Sequence, residues 1–408
     1  MSDLSDDRCA SFDIDDPGFC RDPFPTYDDL REQCPVLHSD AHFREYGGYT
    51  LLTRYDDVKS AVTDWRTYSS AEPGVTAMPM IIQRDYPLLP VEADPPDHAR
   101  YRALISPVFR RSRIEALRPA MVRLLDERLD HLAAVGSADL VADVVVPFST
   151  GTLGEFMKLP AGDRERWAEW GHRLFSSVED PEDARRATAE IEHYLDGIIT
   201  EREGEPRDDF ISMLMESEVD GHRLSRAEIR SFGMLVLASA GHETSASAMS
   251  MALYHLAHHP EALDELRARP ELLPAAVEEM LRYATPVQIF CRNATRDVSL
   301  RGTTIPAGSV VATSYGAANT DPAVFDDAHE VRLDRSPNPH LTFGAGPHFC
   351  IGAPIARLEM ELLLAGVADR FESIDIPDEE AVVWSPRGDR RGIWELPATV
   401  RRRDGAQR

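Results

Sequence analysis

The most restrictive stretch of this chain is Phe343-Gly344-Ala345-Gly346-Pro347-His348-Phe349-Cys350-Ile351-Gly352, a glycine-rich loop that carries one cysteine and runs straight into an amphipathic helical pattern. A cysteine sulfur at a helix start faces backbone N–H donors and the positive end of the dipole, which favour the thiolate. A thiolate is a metal ligand, so Cys350 is the candidate for that role. Gly346 and Gly352 have no Cβ and would let the backbone approach a flat ligand closely. Phe343, seven residues earlier, is placed to shield the sulfur from water. The plainer alternative is a buried structural cysteine.

At 408 residues the average domain size suggests two or three domains, yet no Gly/Ser-rich linker, low-complexity tract or repeat divides the chain. One domain over residues 1–408 is the expectation. Five cysteines (Cys9, Cys20, Cys34, Cys291, Cys350) show neither paired spacing nor a CxxC, which argues against a disulfide framework or a zinc site and points to a reducing compartment. The first thirty residues are acidic and broken by prolines, with no basic-then-apolar signal and no apolar run long enough for a bilayer. A soluble, cytoplasmic protein is expected. The net charge of -26 argues against nucleic acid as a partner, because the chain as a whole would repel phosphates. A partner that prefers positive charge must find a local patch. Arg100, Arg110, Arg111 and Arg113 form one, unless they are simply a solvated charged face.

A short β-rich N-terminal part, with Tyr49-Thr50-Leu51-Leu52-Thr53 as a strand, precedes a mostly helical body. The longest helix is expected to start at the capping box Ser225-Arg226-Ala227-Glu228 and run to about His258, where His259-Pro260 ends it. About thirty residues at 1.5 Å each would span on the order of 50 Å, the width of a whole domain. Inside lies Ala240-Gly241-His242-Glu243-Thr244-Ser245, whose small residues leave space beside the helix for a flat cofactor and a small gas. The Thr244 hydroxyl can bond backward to a carbonyl and loosen the ladder. Taken alone, Thr244 reads equally as a packing residue and Glu243 as a solvated charge. Two further segments stand out. Glu279-Met280-Leu281-Arg282 puts a carboxylate and a guanidinium on one helical face, a common pair that contributes little when exposed. Asp94-Pro95-Pro96-Asp97-His98-Ala99-Arg100-Tyr101-Arg102 sets His98 and Arg102 four residues apart, facing the same way.

With these segments in this order, from about residue 90 to the C-terminal region, the chain resembles the cytochrome P-450 family of haem-thiolate monooxygenases. Asp22-Pro23-Phe24-Pro25 is similar to its soluble bacterial members. The resemblance implies a mainly α fold with a small β-rich portion and a long central helix over haem b. It implies Cys350 as the proximal iron ligand, Phe343 and Gly352 beside it, and Ala240 and Gly241 in an oxygen-binding groove. Cleavage of O2 needs two protons delivered in a largely dry pocket. Glu243 would connect to water and Thr244 would hold the bound oxygen, with His242 turned away. Haem propionates need cations or donors, and the family's positions fall on His98, Arg102, Arg292 and His348. Glu279 and Arg282 would tie their helix to the meander before the cysteine loop. The meander's usual basic partner is not obvious in Ala328-His329-Glu330-Val331-Arg332, and His329 is the candidate.

The implied activity is NAD(P)H-dependent monooxygenation of an organic molecule, since an axial thiolate pushes electron density onto iron and favours O–O cleavage. The chain holds neither a flavin nor a nicotinamide module, so electrons would arrive from a reductase through a ferredoxin, docking at the arginine cluster. By position relative to the motifs, the pocket walls fall on Met78, Met80, Ile81 and Ile82, on Leu237 and Ala240, on Val287, Gln288, Ile289 and Phe290, and on Asp389, Arg390 and Ile393. Nearly all are apolar, which predicts a small, largely apolar substrate such as a natural product or terpenoid. Gln288, Asp389 and Arg390 are the polar candidates. Three alternatives stand beside this reading: another haem-thiolate oxidation (coupling, desaturation, peroxygenation), a haem-based sensor or ligand-binding protein, and a non-haem thiolate protein.

Overall fold

Residues 12–43, 46–71, 86–158, 160–175, 180–239 and 243–403 are described in a computed structural model. Helix α1 (Phe24–Gln33) opens with Pro25 in its first turn, where the missing N–H leaves no intrahelical bond unmade. It leads to β1 (Val36–Phe43) and β2 (Tyr46–Leu52), an antiparallel pair. The strand expected at residues 49–53 is the second half of β2. After α2 (Tyr55–Thr63) and the short β3 (Tyr68–Ser69) the sheet waits for two strands from far along the chain, β4 (Ile289–Ala294) and β5 (Val310–Ser314). The order is β1-β2-β5-β4-β3, with β5 parallel to β2 and antiparallel to β4.

The helical body comprises α3 (Asp97–Ile105), α4 (Arg111–Val135), α5 (Val146–Met157), the helices Arg164–Phe175 and Pro181–Gly204, then α6 (Arg226–Ser239), α7 (Thr244–His258), α8 (Leu273–Ala284) and α9 (Ala353–Arg370). Near the C-terminus β6 (Ile393–Glu395) pairs with Val383–Trp384. Helix α9 packs on α4, α7 and α8. Leu125 and Leu129, Met249 and Leu253, Met280, and Leu363 and Leu364 bring the four together in one buried cluster. Burying such side chains contributes about 1.5–3 kcal/mol each, enough to fix how α9 and the loop before it sit on the body. The fold is thus predominantly helical with small sheets.

Two expectations need correction. The capping box forms, with Ser225 N–H and Oγ donating to Glu228 Oε2 at 2.7 and 2.8 Å. The single helix expected to His258 is interrupted at Glu243, which lies in a turn: α6 covers Arg226–Ser239 and α7 Thr244–His258, and residues 240–242 lie outside the described residues. The second correction concerns cysteines, because Cys34 is disulfide-bonded, while Cys350 carries a free thiol. Among the described residues no helix is long and apolar enough to cross a membrane.

Candidate active site

The cysteine loop is closed by its own backbone. Cys350 N–H donates to the Phe343 carbonyl at 2.9 Å, and Gly346-Pro347-His348 form a single 3-10 turn between them. Gly346 has φ +66°, and a Cβ there would come within 3.1 Å of the Thr63 backbone on α2. Its glycine is therefore demanded by the left-handed turn and by α2 rather than by a flat ligand. Gly352 caps α9 with ordinary φ, and a Cβ there would meet only Cys350 Sγ, at 3.7 Å. Phe343 is buried beside the loop, with the Arg357 guanidinium 4.6 Å from its ring centre and the Phe349 ring at 6.2 Å. Cys350 is accessible to water yet surrounded by protein, so its sulfur faces an internal space. Burial pushes its thiol up, and the N–H groups of Gly352 and Ala353 with Arg102 and Arg357 pull the other way.

Basic side chains gather around the cysteine loop from three separate elements. His98 on α3 is buried, with its ring centre 4.3 Å from that of His348 in the cysteine loop. Arg102, one turn after His98, donates to the Phe349 carbonyl at 2.5 Å. Arg292 lies buried on β4. Burial, then Arg292, His98 and Arg102, hold His348 far below the ordinary histidine range, and burial with Arg102 lowers His98 against a small pull from Asp94. The Nε2 atoms of both histidines are buried without a hydrogen-bond partner among the described residues. Buried polar groups of this kind call for an acceptor, and a ligand bearing carboxylates would supply it.

Glu243 sits buried at the start of α7, with half-buried Thr244 next to it. Its carboxylate oxygens find no hydrogen bond among the described residues; Arg390 Nε is 3.7 Å from Oε2. Burial raises its pKa to about 7 against the pull of Arg390 and Arg387.

A family model for cytochrome P450 matches residues 173–384, more than half of the chain. The 6-deoxyerythronolide B hydroxylase of Saccharopolyspora erythraea is 34% identical over 403 residues, which is 95% of this chain and 98% of that protein. The mycinamicin IV hydroxylase/epoxidase of Micromonospora griseorubida is 35% identical over 91% of this chain and 94% of its own. This chain belongs to the cytochrome P450 family. The solved structure of the cytochrome P450 PksS of the bacillaene polyketide synthase of Bacillus subtilis 168 superposes with a TM-score of 0.86 at 29% identity, covering 96% of this chain and all of that one. Family membership makes the chain a P450 monooxygenase and implies haem as its cofactor. The residues fit such a group: unpartnered buried imidazole nitrogens and two arginines stand where carboxylates would be received, beside an enclosed but accessible thiol.

The other P450 positions read from the sequence divide sharply. Glu279 and Arg282 on α8 are fully buried and paired through two 2.8 Å bonds. Their third member is Arg335, whose Nε donates to both Glu279 oxygens at 3.0 Å, and not His329. His329 is exposed and bonds Asp28 at 2.8 Å. Sequence inspection overlooked Arg335 because it looked only at 328–332, one turn too early. It also overlooked Glu359 on α9, buried among Ser245, Thr152 and Ser149, with burial raising its pKa to about 7. An acid within the apolar stripe of α9 was the available signal.

Of the pocket and groove candidates, Met78, Met80, Ile81, Ile82, Ala240 and Gly241 lie outside the described residues, as does His242. On β4, alternation separates neighbours. Ile289 points into the small-sheet core with Tyr27, Leu37 and Cys291, while half-buried Phe290 shares the opposite face with Arg292. Ile289 is therefore core of the sheet rather than pocket wall. Gln288 is likewise spent internally, accepting from the Tyr27 hydroxyl at 2.7 Å, and Asp389 is buried against Arg387 at 2.9 Å. Leu237 and Ile393 belong to the main core cluster, and Val287 is half-buried and bridges to Arg390. In the basic cluster Arg110, Arg111 and Arg113 are exposed, but Arg100 pairs with Asp97 at 3.0 Å and Arg113 with Asp208 at 3.7 Å, which halves the free charge.

Proposed function

We propose that this P450 inserts one oxygen atom from O2 into a largely apolar natural product, by hydroxylation or epoxidation, with electrons drawn from NAD(P)H through a reductase and a ferredoxin. The relatives named 6-deoxyerythronolide B hydroxylase and mycinamicin IV hydroxylase/epoxidase support hydroxylation or epoxidation of an organic substrate. The observation that carries the reading is the convergence of His98, Arg102, Arg292 and His348 on the accessible thiol of Cys350. Bound there, haem would supply the oxygen-activating iron. Cys350 would be its proximal ligand, with Phe343 keeping water from the sulfur. The two histidines and two arginines would receive the propionates and orient the ring. Glu243 would pass protons inward from water, and the Thr244 hydroxyl would supply a hydrogen bond where O2 reacts. Phe290, on the same strand face as Arg292, would meet the substrate, while Ile289 would not. The face carrying Arg110 and Arg111 would receive an acidic electron donor.

The reduced, carbon monoxide-bound protein should show the red-shifted Soret band of thiolate ligation, and Cys350→His should lose it; an unchanged band in that variant would remove Cys350 from the role. Screening macrolactones, terpenoids, peptides and aromatics for a low-to-high-spin Soret shift identifies the substrate class. With a hit in hand, Phe290→Ala should alter the shift or the oxidised position and Ile289→Ala should alter only stability.

A further inference from the structure

The C-terminal turn reaches the groove helix through one charge. Arg387, Asp389, Arg390 and Arg391 are all nearly inaccessible, an unusual density of buried charge for a chain end. The turn is tied to the segment after α8: Gln288 N–H donates to the Asp389 carbonyl at 3.0 Å, Arg391 N–H to that of Pro286 at 3.0 Å, and Val287 bridges to Arg390. Arg391 donates on to the Tyr283 carbonyl and lies over the rings of Phe24 and Tyr283, so its guanidinium is engaged there. Asp389 is held by Arg387 through bonds of 3.1 and 2.9 Å. Arg390 donates to the Asp389 carbonyl at 2.8 Å and lies 3.5 Å from its carboxylate. Its Nε edge is directed at Glu243 Oε2, 3.7 Å away.

From this geometry we infer that Arg390 is the positioning residue for Glu243: the C-terminal turn supplies the cation that orients this carboxylate and sets how readily it gives up its proton. The inference rests on the reading of Glu243 as part of the proton route but concerns a different residue. The charged groups acting on Glu243 are Arg390 and Arg387, which favour the ionised form, and Asp389, which opposes it; all three come from the turn. On its own helix the next residues, Thr244 and Ser245, are neutral. Glu359 of α9 is hydrogen-bonded with Ser245 and is not among the charges acting on Glu243. At 3.7 Å the pair is a charge contact rather than a hydrogen bond. Such a contact biases a carboxylate's charge and direction without locking it, as a group that must accept and release protons requires. Because the turn also bridges to Val287 beside the proposed substrate wall, the acid and the substrate wall share one support.

The test reads Glu243 itself. Infrared titration of the purified holoprotein follows the C=O band of the protonated carboxyl that disappears in Glu243→Gln. In Arg390→Met the midpoint should rise by about one pH unit or more, as expected for loss of an opposite charge at this range. Arg390→Lys, which keeps the charge on a single point, should restore most of it. The pH dependence of product formed per NAD(P)H consumed should move with the midpoint. If Arg390→Met does not fold, Arg390→Lys alone should still move the midpoint upward by a smaller step, since the ammonium cannot reproduce the guanidinium's fork. An unchanged midpoint in whichever variant folds would overturn the assignment of Arg390. A moved midpoint with an unmoved coupling profile would keep Arg390 as the partner of Glu243 and instead reject Glu243 as the proton route.

Discussion

Glu279 and Glu243 are both buried carboxylates facing arginine, and the protein pushes their ionisation in opposite directions. Glu279 receives two bonds from Arg282, Arg335 Nε at both oxygens, the Arg332 N–H at 2.9 Å and the Asn338 side chain at 3.1 Å. Burial pushes it up, but these donors outweigh burial and hold it below the ordinary carboxylate range. Glu243 has one arginine at 3.7 Å and no hydrogen bond among the described residues, so burial wins and its pKa rises to about 7. Depth is common to the two; the number of donors is what differs. A saturated carboxylate works as a fastener between α8 and the meander. An under-coordinated one is poised to exchange protons near neutral pH.

The most severe way to break this contrast is Glu279→Ala, which strands Arg282 and Arg335 in the interior. Chemical denaturation should show a loss of about 3–5 kcal/mol, and little holoprotein should accumulate. A loss below about 1 kcal/mol would mean that water enters the cluster. Glu243→Gln should cost turnover instead, about a hundredfold, with the fold retained.

The same pair predicts opposite pH slopes. Glu243 has a folded-state pKa above its unfolded value of 4.5, so its contribution is fully present below that value and is lost as pH rises through about 7. Wild type should therefore lose stability relative to Glu243→Gln between about pH 5 and 8, a window set by those two values. Glu279 is depressed, so its contribution is present above the ordinary carboxylate value and is lost as pH falls. Parallel unfolding curves of wild type and Glu243→Gln over that window would contradict the assignment. A smaller effect is expected for Arg335→Met, which leaves Arg282 in place on Glu279: about 1–3 kcal/mol by denaturation. His329→Ala should change stability by less than about 1 kcal/mol, because its bond to Asp28 is exposed. If His329→Ala were the costlier of the two, the choice of Arg335 as third member would be wrong.

Short-range patterns were legible in the amino-acid sequence. The capping box at Ser225 and Glu228, the β2 strand, the Glu279–Arg282 pair and the cysteine loop each depend on residues within about ten positions of one another, where backbone geometry leaves few outcomes. What escaped depended on distant partners. Gln288 has the position of a pocket residue, but its bond goes to Tyr27, 261 residues away. Ile289 and Phe290 are both apolar, and only the placement of β4 between β5 and β3 decides which of them faces the sheet core. Arg390 reads as a polar residue in a turn, and its relation to Glu243 needs the whole body between them.

By itself the sequence determined the family and singled out Cys350 and the basic residues as candidates, because these are chemical requirements that only certain side chains at certain spacings can meet. The tertiary structure alone decided which buried charges are saturated and which are left poised. That depends on how many donors the folded chain delivers to one carboxylate, and burial makes each missing donor count.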